Sequence, residues 1–287
     1  MTPRLRPRRT QHGFTLVELI MVLVITTLIG GTIAVFLKPA IEAYSDTRVR
    51  SALSDQADTA LRRMVRDIRQ AVPNSIRAPA SNCFELVPAI TGGRYRMGPD
   101  AAGSAAYVDP SQPTTSFDVL STLNTVPAVG DWVVINNQNG NDVYTGSNRS
   151  AITAVSTPAA TSGTARITMG AMQVSPGYGG GRFLVVANSQ QSVFYVCDGA
   201  DGTLDSQGNG KGTLYRLKRN FVSAYPAACP STAGGDVLAT RVRSCNFVYT
   251  PNQGATQQSG FLWMLLAIAR NSETATQSQG AHVTNVP

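Results

Sequence analysis

The chain has 287 residues, 43% of them hydrophobic and 14% charged, with a formal net charge of +7. That length accommodates one large or two modest domains with a real hydrophobic core. Four of the positive charges are Arg4, Arg6, Arg8 and Arg9, and taking them from +7 leaves +3 for everything after residue 13. The basic balance therefore reflects topology and gives no argument for a nucleic-acid partner.

Behind those arginines, 14–37 is an uninterrupted apolar run in which Glu18 is the only charge. As a helix it would be about 36 Å long, enough to cross a hydrocarbon core of ~30 Å. The basic flank predicts a single pass with a cytoplasmic N-terminus and an exported remainder. A secretory signal has a shorter apolar region, ~7–15 residues, and Leu37-Lys38-Pro39 is a poor exit site for its peptidase. A plain anchor leaves Glu18 unexplained, because a carboxylate near the bilayer centre costs about 2.5 kcal/mol or more unless it is paired. A cut after Gly13 would create that partner, the new amine of Phe14.

The stretch Gly13-Phe14-Thr15-Leu16-Val17-Glu18-Leu19 resembles the prepilin cleavage and methylation motif of type IV pilins and type II secretion pseudopilins. The resemblance implies cleavage between Gly13 and Phe14 by a prepilin peptidase, N-methylation of Phe14, and assembly of the apolar helix with other subunits into a filament. Glu18 would then set the registry between subunits. It divides the chain into a leader (1–13), an N-terminal helix (14–72, with 14–37 as membrane span and filament core) and a periplasmic β-rich body (73–287).

After the span, Ile41, Tyr44, Arg48, Leu53, Ala57, Leu61, Met64 or Val65, Ile68 and Val72 recur at three- and four-residue spacing, one face of a helix. Asp58, Arg62, Arg63, Arg66, Asp67 and Arg69 lie opposite and read as a solvated surface, with Asp58–Arg62 and Arg63–Asp67 as pairs four apart. Pro39 should kink this helix and Pro73 should end it. From residue 74 the pattern changes to short runs broken by Gly, Pro, Asn and Ser, which predicts strands at 83–88, 94–97, 132–135, 151–155, 165–169, 182–186, 192–197, 213–218, 244–249, 261–269 and 282–286. Loops are expected at 99–116, 136–150 and 175–181. The fold class is α+β, with the amphipathic half of a long helix laid across an antiparallel sheet.

Cys83, Cys197, Cys229 and Cys245 all fall in the exported part, where disulfides form. No closely spaced pair suggests zinc. Four cysteines allow three connectivities; loop length favours Cys229–Cys245, which leaves Cys83–Cys197. A second resemblance runs through Asn82-Cys83-Phe84-Glu85-Leu86, Ser192-Val193-Phe194-Tyr195-Val196-Cys197-Asp198, Gly212-Thr213-Leu214-Tyr215-Arg216, Cys245-Asn246-Phe247-Val248-Tyr249 and His282-Val283-Thr284-Asn285-Val286. These segments are similar to the MshO-like minor pilins of the mannose-sensitive haemagglutinin pilus, a family related to the J-type minor pseudopilins of type II secretion.

Asp198, Asp201 and Asp205 are spaced around glycines as a calcium loop would be, but without the Asp-x-Asp-x-Asp alternation of an EF-hand or a closing glutamate. They suit a hairpin tip equally well, and no cofactor is expected. The glycines at 177–181 lack the Lys-Ser/Thr of a phosphate loop. Any Ser-His-Asp site would have to use His282, which reads as a strand residue. The 215–221 stretch, Tyr215-Arg216-Leu217-Lys218-Arg219-Asn220-Phe221, interleaves cations and aromatics as a nucleic-acid site would, and an exposed cationic strand explains it as well. The expectation is a structural subunit and not an enzyme, with a filament-displayed adhesin or DNA-binding module as the alternative.

Overall fold

The computed structural model describes residues 13–176, 180–253 and 259–286. The boundary between two compact units falls between Val49 and Arg50. In the first unit, α1 (Leu16–Arg69 over its whole length) presents apolar side chains outward, with Phe14 just ahead of it 83% exposed. The hydroxyls of Thr27 and Thr32 donate to the carbonyls of Leu23 (2.9 Å) and Leu28 (2.7 Å), and Thr26 does the same to Val22. These threonine hydroxyls are thus satisfied within the helix, as a lipid environment requires. The helical assignment runs through Pro39.

In the second unit the predicted face of α1 is the buried one: Leu53, Ala57, Leu61, Met64, Ile68 and, beyond the helix, Val72. Each fully buried Leu, Ile or Met there contributes roughly 1.5–3 kcal/mol. The helix ends at Arg69, ahead of Pro73. Short strands β1 (Arg77–Ala80) and β2 (Cys83–Leu86) follow, and then the chain leaves the first sheet. Strands β3 (Thr91–Arg94), β4 (Thr114–Val119) and β5 (Trp132–Ile135), a one-turn α2 (Asp142–Thr145), and β6 (Arg149–Ser156), β7 (Ala165–Met172) and β8 (Arg182–Val186) build a second one. The chain returns through β9 (Ser192–Asp198), β10 (Gly212–Arg219), β11 (Asp236–Gln253), β12 (Ser259–Arg270) and β13 (Glu273–Thr284).

The single expected sheet is therefore two. One has seven strands in the order β1-β2-β9-β10-β11-β12-β13, and the other six in the order β3-β8-β5-β6-β7-β4. The second closes on itself: Tyr95 bridges Val119, Arg96 N donates to Asp118 O, and Leu120 N donates to Arg94 O, joining the chain just after β3 to β4. Its interior is an apolar cluster of Phe117, Val119, Val133, Ile135, Ile152, Ile167, Phe183 and Val185 with their neighbours, a small barrel filled by side chains. Gly92 is obligatory there, because an added Cβ would meet the Phe183 carbonyl oxygen at 2.7 Å. The barrel leaves the first sheet after Leu86 and returns ahead of Val193, and those two residues are direct antiparallel partners. Another cluster, including Val72, Val87, Val134, Tyr144 and Val186, seats the barrel against the end of α1.

The seven-stranded sheet is pinned to the helix by charge as well as apolar contact. Asp67, expected on the solvated face, is buried. Its Oδ2 accepts from the Tyr195 hydroxyl at 2.7 Å and from both Nη2 (2.7 Å) and Nε (2.9 Å) of Arg216, and Arg216 Nη2 also donates to Gln190 Oε1 at 3.0 Å. Burial, with the Asp67 carboxylate beside it, pushes the Tyr195 hydroxyl well above its ordinary pKa and keeps it a donor. Arg77 is the other buried arginine. Its guanidinium lies 3.3 Å from the Tyr144 ring centroid and 3.7 Å from the Glu85 carboxylate, and donates to Asn141 and the Val222 carbonyl. Several expectations need correction: the 94–97 strand is β3 at Thr91–Arg94, the expected 99–116 loop holds the start of β4, the expected 136–150 loop holds α2 and the start of β6, and the 244–249 and 282–286 strands are parts of the much longer β11 and β13.

Candidate functional site

The N-terminal site is built on the start of α1. Thr15 stands ahead of the helix, and its hydroxyl accepts the backbone N–H of Glu18 at 3.2 Å. Thr-x-x-Glu at a helix start is the spacing of a capping box, in which the threonine satisfies one of the orphan N–H groups of the first turn. Among the described residues the Glu18 carboxylate itself has no hydrogen-bond or ion-pair partner. That Thr15–Glu18 spacing is readable in the sequence. Gly13 is exposed, and a Cβ placed on it meets nothing within 4 Å. Local packing among the described residues does not require glycine there. Phe14, the expected new N-terminus, is exposed. The leader arginines and His12 lie outside the described residues.

The four cysteines form two disulfides, but with the other partners. Cys83 pairs with Cys229 (Cα–Cα 5.8 Å) and Cys197 with Cys245 (Cα–Cα 6.5 Å). The preference for the shortest loop fails because tertiary placement overrides sequence distance: Cys229 returns to β2 on the loop after β10, and β11 carries Cys245 past the end of β10 to Cys197 on β9.

Asp198, Asp201 and Asp205 do not converge. Asp198 accepts from the Thr232 hydroxyl (3.0 Å), Asp201 from Thr203 N (2.9 Å) and Asp205 from the backbone of Gln207 (2.9 Å) and Asn209 (2.8 Å). These local bonds hold the Asp201 and Asp205 carboxyls below their ordinary pKa. Among the described residues no group of three or more His, Cys, Asp or Glu side chains is gathered in a metal-binding arrangement. The cationic strand also reads differently in three dimensions. Arg216 is buried on Asp67, Lys218 faces Asp236 at 3.9 Å, and the Arg219 guanidinium lies 5.6 Å from the Phe194 ring centroid. The burial of Arg216 was readable, since it alternates with Leu214 and Gly212 on one face of β10. His282 lies in β13 with its ring 4.8 Å from that of Phe261. Of the glycines at 177–181, residues 177–179 fall outside the described residues.

The one element with the chemistry of a defined process is thus the head of α1: an exposed Gly-Phe junction, a capped first turn, a free carboxylate, and an apolar helix long enough to cross a membrane. These features are those of a helix that could anchor the chain in a membrane and be processed at its head. The family model for the prokaryotic N-terminal methylation motif matches residues 8–34, which supports a type IV pilin or pseudopilin that assembles with other pilins and is processed by prepilin peptidase. No curated protein and no solved structure matches the chain.

Proposed function

We propose that the chain is a minor subunit of a type IV filament, MSHA-like in its relations, and not an enzyme. The observation that carries the proposal is the methylation motif over residues 8–34 set directly on an apolar helix whose side chains are exposed. Residues 1–13 act as a leader that a prepilin peptidase removes at Gly13–Phe14, and the Phe14 amine is then methylated. Residues 14–37 hold the subunit in the inner membrane with its start in the cytoplasm, and later pack in the filament core. Glu18 pairs with an N-terminal amine, its own or a neighbour's, in a medium where an unpaired carboxylate is costly. The body from 73 onward lies in the periplasm, which fits two disulfides formed in an oxidising compartment. The same steps would serve a J-type minor pseudopilin, and recovery of the chain in sheared pili decides for the pilus.

The test is intact mass and N-terminal sequencing of membrane-extracted protein from cells with and without the peptidase. A chain starting at methylated Phe14 only when the peptidase is present supports the reading, and Met1 retained in both strains sinks it. Glu18→Ala should leave cleavage intact and lower filament incorporation about tenfold or more, the size expected for one lost buried ion pair.

A further inference from the structure

The seven-stranded sheet ends on β13, and among the described residues this is its one long open edge. The barrel has no free edge because it closes. At the far side of the sheet β1 is only four residues long and contains Pro79, and Phe247 N reaches the Ser81 carbonyl just beyond it. Proteins blunt exposed edges with prolines, lysines, bulges or short strands, because an unpaired ladder recruits another chain. β13 has none of these devices. Its twelve residues include no Pro, Lys or Arg, and its register with β12 runs unbroken from Glu273 to Thr284. No described residue pairs with its other side.

A basic groove runs beside that edge. The strand follows α1 along its length: Glu273 meets Arg50 at 2.7 Å at one end, and Asn285, just past the strand, accepts Asn74 N at 3.2 Å at the other. Between them lies a groove of about 550 Å³ lined by Arg62, Val65, Arg66, Arg69, Gln70 and Gln279. Arg62 is held by Asp58 at 2.6 Å, whereas Arg66 and Arg69 are exposed and have no ion-pair partner among the described residues. The Gln279 side-chain oxygen is buried without a hydrogen bond. The three arginines lie on one helix flank within about 10 Å along the axis. Alternate residues of an extended chain are ~6.8 Å apart, so two or three same-face carboxylates span that stripe.

We propose that β13 accepts an eighth strand: an extended acidic segment of a neighbouring subunit. Its backbone continues the ladder at 273–284, and its alternate carboxylates lie against Arg62, Arg66 and Arg69. Edge and groove select a peptide over a nucleic acid, because a phosphodiester chain carries no N–H and C=O groups at strand spacing. The neighbour's identity as a filament subunit rests on the reading above; the geometry of the edge does not.

The experiment uses the full chain in detergent micelles and fluorescence anisotropy of a short labelled peptide alternating Glu and Thr. Two further peptides carry Lys for Glu, or N-methyl groups on the alternate amides that face the edge in either register. The Glu peptide should bind and the other two should not, and Arg66→Glu with Arg69→Glu should weaken binding about tenfold or more. The milder pair Arg66→Gln and Arg69→Gln should weaken it less, with melting curves and both disulfides unchanged, which separates charge from misfolding. Equal binding by the N-methylated peptide would make the groove a general polyanion site and overturn the proposal. Indifference to both arginine pairs, or no binding at all, would overturn it too. N-terminal sequencing of the same sample keeps the two ideas apart. A processed chain that ignores the peptide sinks only the edge, and an unprocessed chain that binds it supports the edge while sinking the filament reading.

Discussion

The seven-stranded sheet carries three of the four cysteines, with Cys229 on the loop between its strands β10 and β11, and both buried arginines and the helix, while the barrel inserted between β2 and β9 carries no cysteine and is filled by one continuous apolar cluster. The open sheet has edges and a helix to hold, so covalent links and specific polar locks supplement its hydrophobic contacts. The barrel has no edge and one enclosed interior, and it holds without a disulfide, its one close ion pair among the described residues being Arg166 on buried Asp118 across β7 and β4. Closure and cross-linking are two ways of making a β-layer specific, and this chain uses one in each half.

The sharpest way to break that contrast is at Asp67. Asp67→Ala leaves Arg216 buried without its counter-ion and should cost about 3–5 kcal/mol. Asp67→Leu combined with Arg216→Met should recover most of that loss, as read by urea denaturation. If single and double variants are equally unstable, the lock is only packing. In the barrel, Phe117→Ala should cost about 3–4 kcal/mol through the cavity it leaves. That loss should be the same with and without reductant, which a barrel dependent on the disulfides would not show. Replacing Cys83 and Cys229 together by Ala should cost roughly 2–4 kcal/mol. Its effect on amide exchange should concentrate in the seven-stranded sheet; uniform exchange across both halves would erase the comparison.

The smallest effect is a pH dependence at Glu85. Burial pushes its carboxyl above the ordinary value, with Arg77 offsetting part of the rise. A raised carboxyl favours the folded state fully below its unfolded pKa, and that contribution is lost as pH rises through the folded value. Wild-type melting temperature should therefore fall relative to Glu85→Gln as pH climbs from the ordinary glutamate range. A difference that does not vary with pH would place the carboxyl in a wetter setting than the structure does.

Much of the local structure was legible. Period-four burial from Leu53 to Ile68 is the helix face, and β5 and β8 coincide with their expected limits because short Val/Ile/Phe/Trp runs are bounded by turn residues. The polar length of β13, Thr and Gln on a half-solvated edge, gives no alternation to detect. The start of β4 hides behind a Pro- and Ser-rich approach. The barrel itself was invisible because closure depends on pairing Tyr95 with Val119, a long-range choice that no local pattern encodes. The head of α1 was the most readable part, since a helix start, a cap and a span are all local. The disulfide partners were not, because they depend on where strands far apart in the chain come to lie.

The barrel's exit and re-entry at Leu86 and Val193 have a consequence for descent. Because the two ends are already cross-strand neighbours, the 91–186 segment is spliced into the sheet's ladder at one point, its further contacts to the frame being side-chain ones near the end of α1 and at Arg77. Its length can change without shifting the register of the strands on either side of the splice.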